Sequence, residues 1–277
     1  MTQRILKQAG FTLIEAIVVI TATAILSAAV AVFLRKPIDQ YLDLDRRSAI
    51  TDIADTAARR VSRDLHLALP NSVRTVGNQC LEFLPTTTGG RYRADVDSNG
   101  AGNVFQAGPA ITQFDVIGAM PSIPNSNDQV VVYNLGVPGA DAYEGLNRSV
   151  INAATATTLT FASKAFPFAS PANRFQVISG TEQAVFYVCN NAGKDANGNG
   201  TGSLLRFSGY GINAAAPTVC PVVQPTTPVL ASNLSVCNFT YNAGVTERTG
   251  LVQFRLGVTQ ANETVNLYHD VHISNVP

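Results

Sequence analysis

The chain has 277 residues, with 19 Lys and Arg against 19 Asp and Glu, so it is formally neutral and only 14% charged. That balance leaves no basic stripe or patch for nucleic acid, and the length suits one large domain or two small ones. Four cysteines, Cys80, Cys189, Cys220 and Cys237, show no CxxC or Cys/His spacing, so a zinc site is not expected.

A short basic stretch from Met1 to Gly10, containing Arg4 and Lys7, precedes an apolar run from Phe11 to Leu34. As a helix those residues would span about 36 Å, enough to cross a bilayer with some tilt. Glu15 interrupts the run near its start. A charge at membrane depth costs about 2.5–3.5 kcal/mol on insertion scales, so its partner is expected to come from outside the helix. A secretory signal cut after Ala29-Val30-Ala31, or an uncleaved signal anchor, would also begin this way. Against both, Glu15 sits inside what would be the apolar core of a signal, and helical periodicity continues beyond residue 31.

Pro37 marks an expected kink. Periodicity then resumes: Ile50, Ile53, Ala57, Val61 and Leu65 step by three or four and form one apolar stripe. Asp55/Arg59 and Arg60/Asp64 fall at i, i+4, expected on the wetter side. Pro70-Asn71 ends the pattern. The reading is one kinked helix from Phe11 to about Leu69, approaching ~90 Å, apolar all round at 11–34 and amphipathic at 35–70.

After residue 70 the texture turns to strands. The runs Gln129–Asn134, Thr157–Phe161, Phe175–Ile178, Ala184–Cys189, Leu234–Tyr241, Leu251–Val258 and Thr264–Ile273 are rich in Val, Phe, Tyr and Thr, with Gly, Asn and Pro between them. The last places Val265, Leu267, His269, Val271 and Ile273 on one face. No internal repeat is evident. The expected fold class is α+β: a long kinked N-terminal helix, transmembrane then amphipathic, packed on a mainly antiparallel β-sheet head over 71–277.

Candidate chemistry in the head is sparse. Asp95, Asp97 and Asn99 open a D-x-D-x-N-G calcium loop, but Gln106 stands at the twelfth position where a bidentate Glu is wanted. Asp195-Ala196-Asn197-Gly198-Asn199-Gly200 is a weaker echo, with Arg206 at its twelfth place. Ordinary Asx/Gly turns explain both loops, and no other cofactor is indicated. His269 and His272 point to opposite faces of a strand and His66 lies far away in sequence, so they make poor joint ligands. No G-x-S-x-G or other nucleophile–base arrangement is visible, and no catalytic residue is assigned. In an exported chain the four cysteines read as two disulfides with three possible connectivities. The short Pro-rich segment between Cys220 and Cys237 favours that pair, leaving Cys80–Cys189.

Gly10-Phe11-Thr12-Leu13-Ile14-Glu15, after a basic leader and before an apolar run, resembles the processing site of type IV prepilins and type II secretion pseudopilins. The resemblance implies that prepilin peptidase cuts between Gly10 and Phe11 and that Phe11 becomes N-methylated. It also implies that Glu15, the fifth mature residue, aligns incoming subunits by meeting a neighbour's terminal amine. Cleavage would remove Arg4 and Lys7, leaving 17 basic residues against 19 acidic ones. Head segments Ala68–Arg74, Cys80–Pro85 and Leu267–Pro277 resemble the MshO-type minor pilins of the mannose-sensitive haemagglutinin (MSHA) pilus, relatives of the J-type pseudopilins. The implied role is initiation or tip assembly of a pilus, not catalysis. The implied partners are other major and minor pilins, prepilin peptidase and an inner-membrane assembly platform, with no nucleic acid. The implied location is a single pass in the inner membrane with a periplasmic head, then the filament. An adhesive tip module binding a surface ligand and a type II secretion pseudopilin are the alternatives.

Overall fold

In the computed structural model, which describes residues 10–244 and 249–277, one α-helix, α1, covers Leu13–His66. It runs on through Pro37, which has no N–H to donate to the carbonyl of Phe33. Arg4, Lys7 and the rest of the leader up to residue 9 lie outside the described residues. α1 ends at His66, a turn earlier than expected, because the chain leaves it to form an antiparallel bridge between Ala68 and Pro85. Among the described residues thirteen strands follow: β1 (Arg74–Val76), β2 (Cys80–Phe83), β3 (Thr86–Tyr92), β4 (Ala110–Ile117), β5 (Gln129–Val132), β6 (Arg148–Ala154), β7 (Thr158–Ala165), β8 (Arg174–Ile178), β9 (Val185–Asn190), β10 (Gly202–Ser208), β11 (Val229–Asn242), β12 (Gly250–Gln260) and β13 (Glu263–Ile273). This is the α+β class, with antiparallel pairing throughout the described ladders.

The chain divides into two units between Ala49 and Ile50. In the first, apolar side chains are exposed all round, Leu13 at 80% and Phe33 at 81% among them. None of the described helix residues in this unit is buried. In the second unit α1 presents Ile50, Ala54, Ala57, Ala58, Val61 and Leu65 to the core, with Ile53 partly buried beside them. The expected stripe is therefore present, widened by two alanines that let helix and sheet approach closely.

That core is closed by a seven-stranded sheet in the order β1-β2-β9-β10-β11-β12-β13. Strand alternation sends Leu81, Phe83, Val185, Tyr187, Leu204, Phe239, Val252 and Phe254 to the helix side. The opposite face packs Cys80, Phe186 and Val188 under Phe207, Tyr210, Cys220 and Val223. β13 carries Val265, Leu267, Val271 and Ile273 into the helix-side core as its alternation predicts.

Between β2 and β9 the chain departs into a second sheet, a closed barrel in the order β3-β4-β7-β6-β5-β8. Its interior is solid: Tyr92, Phe105, Phe114, Phe161, Phe166 and Phe175 meet with ring centroids 4.3–6.0 Å apart. β3 contains Gly89-Gly90 because β8 comes so close; a Cβ on Gly89 would lie 2.8 Å from the Phe175 carbonyl oxygen.

The disulfides are Cys80–Cys220 and Cys189–Cys237, which corrects the expected Cys220–Cys237 and Cys80–Cys189. Cys80 stands opposite Val188 in the β2–β9 register, so Cys189 is one residue further on and faces the other side of the sheet. Those two sulfurs point apart, and each takes its partner from its own face.

Candidate functional site

The segment around Gly10 and Phe11 is built by a helix start. Thr12 is the N-cap: its carbonyl accepts the N–H groups of Glu15 (3.1 Å) and Ala16 (3.2 Å), and its Oγ1 also receives the Glu15 N–H at 3.4 Å. Thr12-x-x-Glu15 has the spacing of a capping box, in which the third helical residue is an acid drawn to the orphan donors of the first turn. Gly10 and Phe11 stand before the helix, both exposed, with nothing within 4 Å of a Cβ placed on Gly10. The Gly10–Phe11 peptide bond is thus accessible and outside regular structure. Sequence reading missed the role of Thr12, although the T-x-x-E spacing carries it.

Glu15 is exposed and has no ion-pair partner among the described residues. Further along, the hydroxyls of Thr21 and Thr23 donate to the carbonyls of Ile17 (2.9 Å) and Val19 (2.8 Å). Both are therefore satisfied within the helix, which suits them to an apolar surrounding. α1 has the length and composition to cross a membrane, and none of that apolar stretch is buried.

A match to the prokaryotic N-terminal methylation motif covers residues 5–31. It indicates a type IV pilin- or pseudopilin-like chain with a single-pass, membrane-anchoring helix. Comparison with curated proteins and with solved structures finds no match.

In the head, the expected calcium residues fold as turns. Asp97 Oδ1 accepts the N–H groups of Asn99 and Ala101, each at 2.9 Å. The Ala101 and then the Asn99 donors hold its carboxyl below the usual range. Asp95 is exposed, and among the described residues no group of three or more His, Cys, Asp or Glu is placed to hold a metal. Asp195 repeats the arrangement with Asn197 (2.9 Å) and Asn199 (2.7 Å). His269 packs against the Phe254 ring, while His272 is exposed on the other face of β13.

Asp64 departs from its expected place on the wet side of α1. It is buried, and its Oδ2 accepts Tyr187 OH at 2.9 Å and Arg206 Nε at 2.8 Å, with Arg206 also paired to Glu182. Both expected i, i+4 pairs form, Asp55–Arg59 exposed at 2.8 Å and Arg60–Asp64 at 3.2 Å with the acid buried. A second buried acid, Glu82, accepts Arg74 Nε at 2.8 Å and Tyr210 OH at 2.7 Å. The Arg74 guanidinium also lies 3.4 Å over the Tyr143 ring. These charges are committed to one another and fix the register of helix and strands. Spacing announced only the Arg60–Asp64 pair; the other contacts are set by strand pairing and by tertiary packing.

Proposed function

We propose that this chain is a minor pilin, or pseudopilin, that takes part in initiation or tip assembly of a type IV pilus of the MSHA kind. Prepilin peptidase cuts between Gly10 and Phe11 and the new Phe11 terminus is N-methylated. The head lies in the periplasm while the helix is anchored in the inner membrane. Assembly then moves the subunit into a filament with other major and minor pilins. The observation that carries this reading is the methylation motif over residues 5–31 joined to a helix whose apolar surface has no protein partner in the first unit.

Glu15 supplies the assembly contact. Once Gly10 is removed, the Phe11 amine is a cation in hydrocarbon, and the Glu15 carboxylate of an axially offset subunit neutralises it while both stay desolvated. A buried pair of this kind is best attested as a device for register. The test is recovery of the chain in sheared filaments. Recovery should depend on the peptidase and fall strongly for Glu15→Ala; equal recovery of the variant would remove the assembly role. An adhesive tip role is a second reading, favoured by the inserted closed barrel, which contributes no helix-contacting core residue.

A further inference from the structure

The seven-stranded sheet ends on two unlike edges. β1 has three residues, and the turn after it is already engaged, the Asn78 carbonyl accepting the Phe239 N–H at 2.8 Å. β13, at the other edge, has eleven residues, pairs with β12 without a register shift and has no strand on its far side. Natural edges are blunted by shortness, lysine, proline or a bulge, and β13 carries none of these. The remaining strands lie inside this sheet or in the closed barrel, so β13 is the one long free edge among the described residues.

The hairpin fixes which of its groups are free. Gln260 and Glu263 face each other across Ala261-Asn262, both with positive φ (49 and 67), as in a two-residue type I′ turn. Such a turn closes on a hydrogen-bonded pair, and bonded pairs then alternate along the ladder. The backbone N–H and C=O groups of Thr264, Asn266, Tyr268, Asp270 and His272 therefore point away from β12, and no described group outside it takes them. Side chains beside this row also lack a neighbour. Tyr268 is 68% exposed, with the Arg255 guanidinium 4.9 Å from its ring centroid. Val265 and Leu267 join the helix-side core but are only partly buried. Asp270 accepts Gln253 Nε2 at 3.2 Å and has no ion-pair partner among the described residues.

We propose that β13 receives an extended segment of a neighbouring, non-identical pilin subunit, which adds antiparallel to the sheet through those five residues. Its apolar side chains lie beside Val265 and Leu267, and a Lys or Arg stands opposite Asp270, where a cross-strand charge pair is favourable. This docking deepens the assembly role proposed above and rests on it. A second copy does not fit. Antiparallel pairing of β13 with another β13 needs a two-fold axis, which turns one copy upside down. Subunits entering one filament from one membrane point the same way and meet through unlike surfaces. A copy has no other long edge to offer, since its β1 is short and its barrel is closed.

The test removes one outward N–H and spares the fold. Proline is tolerated on an edge strand where its missing N–H faces away from the ladder. Tyr268→Pro in the full chain should therefore melt close to Tyr268→Ala in detergent micelles, and yet be recovered in sheared filaments about tenfold less than it. Separately, a benzophenone amino acid placed at position 268 should, on irradiation of filaments, link to a different pilin. The linked peptide should alternate apolar and polar residues and carry a Lys or Arg. Equal recovery of the proline and alanine variants, no adduct, or an adduct with second copies only would overturn the proposal. Absence of the parent chain from filaments would instead remove the assembly role, and this partner with it.

Discussion

Asn71 joins three parts of the second unit. It adopts a left-handed backbone at φ 59, which Asn tolerates better than most side chains. Its Nδ2 donates to the carbonyls of Asn134 at 2.9 Å and Asn275 at 3.1 Å, while Asn134 returns a bond to the Pro70 carbonyl. Asn71→Ala loses both bonds and strains the turn, so thermal melting of the full chain in detergent should show a loss of about 2–3 kcal/mol. Asp64→Ala strands Arg206 and Tyr187 beside the helix and should cost about 3 kcal/mol in the same measurement. The buried tyrosines set an alkaline limit. Burial, with the Asp64 carboxylate beside it, pushes the Tyr187 hydroxyl well above its ordinary value of 10.0. Burial and Glu82 do the same to Tyr210. With folded values raised, this stabilisation is fully present below pH ~10, where the unfolded chain keeps its tyrosines neutral, and is lost as pH rises beyond it. Melting temperature should therefore fall steeply above that pH, and less so in Tyr187→Phe.

At the scale of elements, the helix was the most legible part. Its stripe repeats every three or four residues and its members meet one continuous core, so Leu65→Ala should cost about 2–5 kcal/mol. Each of the seven strand runs read from the sequence lies in or overlaps a strand of the structure. The barrel was not legible as a barrel. β3 reads Thr-Thr-Thr-Gly-Gly-Arg-Tyr, with hardly an apolar residue, and it is a strand because β8, far along the chain, closes on it. Disulfide pairing was illegible for a related reason. Loop length favours short closures, but which sulfur faces which depends on the β2–β9 register, and one step of register reverses the face. Non-reducing peptide mapping should recover Cys80 with Cys220 and Cys189 with Cys237; a Cys220–Cys237 peptide would contradict the sheet order. At the N-terminal site, the residues around the Gly10–Phe11 bond and Glu15 stood out in the sequence because that chemistry is local. The contacts of Asp64 with Tyr187 and Arg206, and of Glu82 with Tyr210, did not, because they exist only through tertiary packing.

At the scale of the whole molecule, the proposed function rests on one covalent event. If the chain enters a pilus machine, its leader is removed and its helix is left with a cationic terminus four residues ahead of Glu15. Everything assigned to Glu15 follows from that. The most direct test is intact-mass and N-terminal analysis of the chain recovered from membranes with and without prepilin peptidase. A peptidase-dependent chain beginning at Phe11 and bearing one added methyl group on its amine is the expected result. A terminus at Val32, or an intact Met1 in both samples, would contradict it and leave the head as an anchored or secreted β-protein with no part in filament assembly.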